Sequence, residues 1–211
     1  THLTDAIYKS YFNPKSVAER YAKGRPRYHL FVVQKIKEFL KLKTGLARAL
    51  DVGCGTGFSS IALKEVSDSV YGCDLSSEML SLAEAGSGID YLVASGEKLP
   101  FKSNSFEIIT VAQAIHWMDR DKFFNEVRRS LKPNCWLVAY DNYFLGEIEN
   151  EPSFRDWFRE GFLKTFPTTP RNRLPFETDS KDPDELVLVH EERHRNLISL
   201  TQRELTDYFL T

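Results

Sequence analysis

The sequence from residue 28 to residue 140 alternates stretches of helical apolar spacing with short apolar runs. Leu30, Val33, Ile36 and Phe39 recur every three or four positions, as on the buried face of a helix. Apolar runs bounded by polar residues or glycine are typical of strands covered on both faces. We predict five strands in this part of the chain: about Ala47–Val52, a run ending at Asp74, Ile89–Ala94, Phe106–Ala112 and Cys135–Tyr140.

Helices are predicted between these strands. Ser76 and Asp121 are polar residues that precede helix-like stretches, and we expect both to cap helices. The predicted helices are Tyr28–Lys43, Ser59 to about Val66, Ser76 to about Ala85, and residues 121–131. Strands that alternate with helices predict an α/β fold, here a Rossmann-like, doubly wound, mostly parallel sheet flanked by helices.

The two ends of the chain lie outside this alternation. Asn13 is predicted to cap a first helix with Pro14 in its first turn, and the helix is predicted to break at Gly24-Arg25-Pro26. The elements predicted beyond residue 140 are an aromatic helix at Pro152–Phe166, a proline-rich loop at Pro167–Asp184, and a last helix at Gln202–Leu210 that Thr201 caps.

Residues 190–194, His-Glu-Glu-Arg-His, have the HExxH spacing of zinc proteases, which requires a helix. The apolar Leu186–Val189 and Leu197–Leu200 on either side favour a strand instead, which is the sixth strand in our count. Four residues of strand span about 13 Å, which separates the two histidines too widely for one ion. We therefore predict no metal site.

Composition limits the class of protein further. A chain of 211 residues with 42% hydrophobic residues is expected to form one globular domain, and we favour a monomer. The net charge of −2 disfavours a broad nucleic-acid-binding face. Three cysteines without metal-ligand spacing indicate a reduced, cytoplasmic protein. We find neither a signal-peptide core nor an apolar run of membrane-spanning length, so we expect no membrane partner.

Gly53, Gly55 and Gly57 alternate after the first predicted strand, in the run Leu-Asp-Val-Gly-Cys-Gly-Thr-Gly-Phe-Ser-Ser at residues 50–60. Glycine lets the chain reverse sharply and lets a ligand approach bare backbone. A dinucleotide-binding loop has glycine at its first, third and sixth positions, but the sixth position counted from Gly53 is Phe58. The loop therefore favours a nucleoside carrying an amino-acid tail over a pyrophosphate, and it disfavours a nicotinamide-dependent oxidoreductase.

Two carboxylates at predicted strand ends extend this pattern. Asp51 is expected to orient the glycine turn or to meet an ammonium group. Asp74 closes the next apolar run, seventeen positions after Gly57 (74 minus 57). A carboxylate in that place can accept hydrogen bonds from the ribose hydroxyls of a nucleoside.

Three blocks, at residues 50–60, 70–80 and 96–119, together resemble the class I S-adenosylmethionine (SAM) dependent methyltransferases. The resemblance is to the small-molecule branch that is similar to trans-aconitate methyltransferase and carries a methyltransferase type 11 domain. It implies a sheet of seven strands in the order 3-2-1-4-5-7-6, so one strand is missing from our count. It also implies a single domain with a lid at residues 1–27, a SAM-binding core at 28–144, and acceptor-side and C-terminal elements at 145–211.

The resemblance further implies which residues form the site, with SAM as cofactor and S-adenosylhomocysteine (SAH) as product. In relatives an aspartate usually stands where this sequence has Ser95, so the contact with the adenine amine is expected to differ here. The implied cofactor-binding residues are Tyr21, Arg25, Asp51, Gly53, Cys54, Gly55, Thr56, Gly57, Asp74, Leu75, Met79, Ser95, Gly96, Glu97, Gln113 and Ala114. Tyr28, His116 and Trp117 are expected to line the acceptor pocket.

The expected reaction is transfer of a methyl group to a small-molecule acceptor by in-line displacement. A carboxylate is one candidate acceptor and needs no base, whereas a hydroxyl or an amine would make His116 the first candidate for a catalytic base and Tyr21 another. Arg25 is expected to bind a carboxylate of SAM or of the acceptor, or to be a solvated surface residue. Methylation of RNA or protein, and a SAM-binding module without catalysis, are the alternative functions.

Overall fold

The computed structural model describes Phe12, residues 14–167 and residues 186–209. At its centre is a parallel sheet of five strands in the order β3-β2-β1-β4-β5. The strands are β1 (Leu46–Val52), β2 (Ser67–Asp74), β3 (Ile89–Val93), β4 (Phe106–Ala112) and β5 (Leu131–Tyr140). The predicted α/β, Rossmann-like fold is confirmed, and so is the order of these five strands.

Eight α-helices accompany the sheet in the described residues. They are α1 (Lys15–Gly24), α2 (His29–Phe39), α3 (Phe58–Leu63), α4 (Ser77–Ser81), α5 (Arg120–Ser130), α6 (Pro152–Asp156), α7 (Leu163–Thr165) and α8 (Gln202–Phe209). None of these helices is long and apolar enough to cross a lipid bilayer.

Alternate residues of the strands supply two cores, one on each side of the sheet. Leu50 of β1 and Ile109 of β4 belong to the core under α5. Ala49 and Ile108, their neighbours along the chain, belong to the core under α2 and α3. All four side chains are completely buried. Because successive residues of a strand point to opposite faces, the nearly continuous apolar runs seen in the sequence are what a sheet covered on both sides requires.

Three helices are shorter than predicted. α2 stops at Phe39 because Lys41 adopts a left-handed backbone with a φ of 50°. α3 ends at Leu63 and leaves a turn before β2. α4 is capped by Ser76 as predicted, but it ends at Ser81. Beyond that end, the N–H of Glu84 donates to the carbonyl of Thr56 in the glycine loop (3.2 Å) instead of continuing a helical ladder.

The predicted cap of α5 was wrong by two residues. The side chain of Asp119, not of Asp121, accepts a hydrogen bond from the N–H of Lys122 (3.3 Å) and thereby caps the helix. Asp121 lies within the first turn. Both positions suit a carboxylate, because the unpaired N–H groups of the first turn attract negative charge at each of them. The sequence therefore did not distinguish the two.

The segment after β5 forms an aromatic cluster. Pro152–Phe166 is helical as predicted, but its middle, Trp157–Phe162, is a π-helix between α6 and α7. The ring of Phe144 packs on Phe158 at a centroid distance of 5.2 Å and on Phe209 of α8 at 5.7 Å. α8 in turn packs against α1. The cluster therefore connects the C-terminal elements with the N-terminal helix.

The strand predicted around residues 186–200 is not formed. These residues have no regular secondary structure. Their side chains hold the segment instead: His190 stacks on Phe39 at a centroid distance of 4.4 Å, and His194 meets the edge of Phe31 at 5.4 Å. Thr201 caps α8 as predicted, and together with Glu204 it forms a capping box (2.7 and 3.2 Å). Asn13, most of the predicted proline-rich loop and Leu210 lie outside the described residues.

The cores provide a first testable prediction. Phe123 of α5 is completely buried, whereas its neighbour Phe124 is only partly buried against the same core. Phe123→Ala should lower the free energy of unfolding by about 3–5 kcal/mol, the range for removing a buried phenylalanine. Phe124→Ala is the matched control and should cost clearly less. Urea unfolding followed by circular dichroism measures both, and equal losses would contradict this assignment of the buried face.

Candidate functional site

The chain leaves β1 through a loop in which glycine is required. Gly53, Gly55 and Gly57 have φ values of 70°, 54° and 81°, in the left-handed region that side chains disfavour. A Cβ on Gly53 would lie 2.4 Å from the Cβ of Ala114, and one on Gly57 would lie 2.4 Å from the hydroxyl of Tyr91. The loop is therefore held between the strand ends on both of its sides, and its conformation depends on glycine.

Asp51 fixes this loop from below. Its carboxylate is buried and accepts hydrogen bonds from the hydroxyls of Ser59 (2.5 Å), Ser60 (2.7 Å) and Thr110 (3.1 Å). Burial raises the pKa of Asp51, and the three hydroxyls oppose that rise. The side chain joins β1, the start of α3 and β4. It thus has the orienting role that the sequence suggested.

Asp74 fixes the top of the loop. One carboxylate oxygen accepts a hydrogen bond from the N–H of Gly55 (2.9 Å), and the other accepts one from the N–H of Ser76 (2.8 Å). Because a carboxylate oxygen can accept more than one hydrogen bond, Asp74 can position the loop and also meet the hydroxyls of a ligand. It closes β2 at the edge of the sheet where the other strands also end.

Two cavities open on either side of Gly53 at this edge. The first, which we call the cap-side cavity because the N-terminal segment covers it, is lined by Tyr21, Arg25, Tyr28, His29, Gly53, Cys54, Gly55, Thr56, Phe58, Ser59, Ala112 and Gln113. The sheet-side cavity is lined by Gly53, Asp74, Leu75, Ala94, Ser95, Gly96, Glu97, Ala114, Trp117 and Met118. Open α/β sheets bind ligands beyond the carboxyl ends of their strands, and both cavities lie there.

Most of the predicted site residues line one of these cavities. Asp51, Gly57 and Met79 do not, and they support the loop from within: Met79 is buried, with its methyl group 3.1 Å from where a Cβ of Gly55 would lie. His116 also lines neither cavity. It lies in a short 3-10 turn, Ile115–Trp117, and its ring packs at 5.2 Å from that of Trp117.

The cap-side cavity is covered by side chains of the N-terminal segment. The guanidinium of Arg25 lies over the ring of Tyr21 at 4.8 Å and over that of Tyr208 from α8 at 5.6 Å. The hydroxyl of Tyr28 accepts a hydrogen bond from the side-chain amide of Gln113 (2.7 Å). Gln113 has a left-handed φ of 51°, a strained conformation that is often found in functional sites.

A further contact fastens this segment to the glycine loop. Arg27 lies over the ring of Phe58 at 4.3 Å and forms an exposed ion pair with Glu84. The ion pair raises the pKa of Arg27 and lowers that of Glu84. Phe58 is the residue that distinguishes this loop from a dinucleotide-binding loop. Here it supports the chain segment that covers the cavity.

Sequence analysis missed the pair formed by His29 and Tyr140. Nδ1 of His29 lies 2.9 Å from the hydroxyl oxygen of Tyr140, and the imidazole stacks on Tyr28 at 4.3 Å. Burial lowers the pKa of His29 to about 4 and raises that of Tyr140 well above its usual range. Tyr140 is the last residue of β5. An aromatic residue at the carboxyl end of a predicted strand was the one sequence feature that could have pointed to this pair.

In the sheet-side cavity, Glu97 has a clear structural role. Its carboxylate accepts a hydrogen bond from the N–H of Asp119 (2.7 Å), and this bond ties the loop after β3 to the loop after β4. The hydroxyl of Ser95 accepts a hydrogen bond from the N–H of Glu97 (3.2 Å). Ser95 therefore shapes the loop at the position for which the resemblance implies an aspartate.

The two histidines with zinc-protease spacing do not form such a site. Each lies within hydrogen-bonding distance of the carboxylate of Glu192, at 2.6 Å for His190 and 2.5 Å for His194. Among the residues that the structure describes, no group of three or more histidine, cysteine, aspartate or glutamate side chains is arranged to hold a metal ion.

Comparison with known proteins connects this geometry with a family. The model of a methyltransferase domain, type 11, matches residues 50–139. The Probable S-adenosylmethionine-dependent methyltransferase CRG1 of Saccharomyces cerevisiae is 33% identical over 167 residues, which cover 74% of this chain and 56% of the yeast protein. This chain spans about half the length of the curated relatives it matches.

Solved structures agree with this similarity. A candidate type II methyltransferase from Anaeromyxobacter dehalogenans superimposes with a TM-score of 0.63 and 27% identity, over 75% of this chain and 70% of that one. Phosphoethanolamine N-methyltransferase 2 of Haemonchus contortus, in complex with phosphomonomethylethanolamine and SAH, gives a TM-score of 0.56 and 25% identity, over 75% of this chain and 40% of that one.

The buried imidazole of His29 leads to a prediction about pH. Because its pKa is lowered from 6.5 to about 4, the unfolded chain binds a proton between these pH values that the folded chain does not bind. Stability from this group is therefore complete above pH 6.5 and decreases as the pH falls towards 4. Between pH 7 and pH 5 the wild-type protein should lose about 1–2 kcal/mol more than His29→Gln. Urea unfolding of both proteins at the two pH values tests this, and equal losses would contradict it.

Proposed function

Because the chain belongs to the class I SAM-dependent methyltransferases, we propose that it transfers the methyl group of SAM to a small-molecule acceptor and leaves SAH. The observation that carries this proposal is the position of Gly53, which lines both of the cavities at the carboxyl ends of the parallel strands. The sheet-side cavity suits an adenosine, and the cap-side cavity suits an amino-acid tail together with an acceptor.

The sheet-side cavity has the hydrogen-bonding groups and the apolar surface expected for adenosine. Asp74 would meet the ribose hydroxyls, and Leu75, Met118 and Trp117 offer apolar surface for the adenine ring. Ser95 and the backbone beside it would meet the adenine amine. The glycine loop would support the methionine part. A side chain at Gly53 would clash with Ala114, so the backbone there stays bare and a ligand can approach it.

Arg25 fits the carboxylate end of the same molecule. Its Nε is buried, and within the described part of the chain no acceptor is hydrogen-bonded to it. A buried donor without a partner costs about 1–3 kcal/mol, so a carboxylate that reached it would be bound favourably. The carboxylate can belong to SAM or to the acceptor, and the second case would make a carboxylic acid the acceptor class.

Bound SAM supplies a methyl group already activated by a positively charged sulfur, and the protein mainly has to align the acceptor with it. We assign that alignment to the cap-side cavity and to Tyr28, with Trp117 in the wall of the sheet-side cavity. Tyr208 of the C-terminal helix touches Arg25 of the N-terminal segment. This contact supports our assignment of residues 1–27 as a lid and residues 145–211 as elements of the acceptor side.

Isothermal titration with SAM and SAH tests the first half of the proposal. We expect one site that binds both compounds, with NAD as a control that does not bind. A folded protein that takes up neither compound would refute the proposal. Transfer of tritium from methyl-labelled SAM to a panel of small acceptors, with RNA and protein extracts alongside, tests the second half.

Ser95 gives a sharper prediction about cofactor affinity. Replacing it by aspartate supplies the carboxylate that the resemblance implies for the contact with the adenine amine, and a hydrogen bond to a charged acceptor contributes about 1.5–3 kcal/mol. Ser95→Asp should therefore bind SAH about 10-fold more tightly. Ser103→Asp adds the same charge at an exposed loop position and is the matched control. An unchanged or lower affinity of Ser95→Asp alone would remove Ser95 from the adenine site.

A further inference from the structure

The pair of His29 and Tyr140 is a built feature of the cap-side cavity that the proposed function does not use. His29 begins α2 and lines the cavity. Its ring is stacked on Tyr28 with an angle of 28° between the planes, and it meets the ring of Tyr140 edge to face at 5.8 Å. Two aromatic rings and one hydrogen bond thus restrict the imidazole to one orientation.

The pair is also fixed to the strand ends. Tyr140 is the last residue of β5, and its backbone carbonyl accepts a hydrogen bond from the N–H of Gln113 after β4 (2.9 Å). The side-chain amide of the same Gln113 holds Tyr28, on which His29 stacks. Since Tyr140 occupies Nδ1 of His29, Nε2 is the ring nitrogen that remains for a ligand in the cavity.

We propose that Nε2 of His29 accepts the proton of a hydroxyl group on the methyl acceptor, so that the site acts on alcohols or phenols. This proposal rests on the proposed function and names its acceptor class. It assigns to His29 the role of base that sequence analysis considered for His116, which lines neither cavity.

The step is balanced as follows. The hydroxyl oxygen forms a bond to the methyl carbon while the bond from that carbon to the sulfonium sulfur breaks, and its electron pair stays on the sulfur. The hydroxyl proton passes to Nε2 and makes an imidazolium. Nδ1–H then donates to the hydroxyl oxygen of Tyr140, which steadies the cation until the proton leaves to solvent. One positive charge is present in the site before and after the step.

The environment of His29 favours a hydroxyl over an amine. Burial keeps the ring neutral at pH 7, so its lone pair is available. A weak base of this kind takes up the proton of a hydroxyl oxygen that is being methylated, because that proton becomes strongly acidic. It cannot remove the proton of an alkylammonium ion. A carboxylate acceptor has no proton to give and would leave this pair without a role.

Tritium transfer from methyl-labelled SAM tests the acceptor class with two probes. Phenol is un-ionised at pH 7, whereas pentafluorophenol is largely ionised and needs no base. His29→Gln should lower kcat for phenol about 100-fold or more, the usual contribution of general base catalysis. It should change kcat for pentafluorophenol less than about 3-fold and leave KM for SAM unchanged. His194→Gln, at an exposed position outside the cleft, is the control.

Three outcomes would overturn the proposal. These are equal losses for the two probes, a selective loss in His116→Gln in place of His29→Gln, and label in carboxylic acids but in no alcohol or phenol. Titration with SAH separates the two levels of inference. A protein that binds SAH but labels no hydroxyl compound keeps the cofactor assignment and loses this one, whereas a protein that binds no SAH fails the proposed function itself.

Nitrogen-15 NMR of the histidines gives a readout that does not depend on activity. The proposal requires the tautomer with the proton on Nδ1, donated to Tyr140, and an unprotonated Nε2 at pH 7. The signal of His29 is identified as the one that disappears in His29→Gln. Tyr140→Phe should release the ring to the other tautomer and lower kcat for phenol, because Nε2 then carries the proton and cannot accept another. A protonated Nε2 in the wild-type protein would overturn the proposal.

Discussion

The site depends first on one buried carboxylate. Asp51 has no access to solvent, and hydroxyls from α3 and β4 satisfy its charge. Because a buried charge is costly unless it is hydrogen-bonded, the start of α3, the end of β1 and the middle of β4 can fit together in only one way. The glycine loop lies directly above this point, so the precision of the cleft derives from a group that does not line it.

A second level of organisation closes the cleft from above. α1 brings Tyr21 to the cavity and its C-terminal end brings Arg25, while α8 contributes Tyr208 from the far end of the described chain. The aromatic cluster around Phe144 anchors α8. The cover of the cap-side cavity therefore comes from sequence regions that lie far apart, whereas the residues that line the sheet-side cavity all lie between Gly53 and Met118.

This division explains how much the sequence could predict. β4 was predicted to the residue, and Asp74, Ser76 and the glycine loop were placed correctly, because local rules of periodicity, capping and turn chemistry determine them. The pairing of His29 with Tyr140 spans 111 positions and leaves no local trace. The apolar runs around residues 186–200 were mistaken for a strand. Side-chain contacts with α2, which periodicity does not describe, hold that segment instead.

Phe58, which stands where a dinucleotide-binding loop has glycine, determines how firmly the N-terminal segment is attached. Its ring receives Arg27, and the accompanying ion pair with Glu84 is exposed, so it contributes at most about 1 kcal/mol. An exposed attachment of this strength holds Arg27 against Phe58 without fixing the segment permanently. The segment around Arg27 can therefore separate from the ring of Phe58 without disturbing the buried strands beneath it.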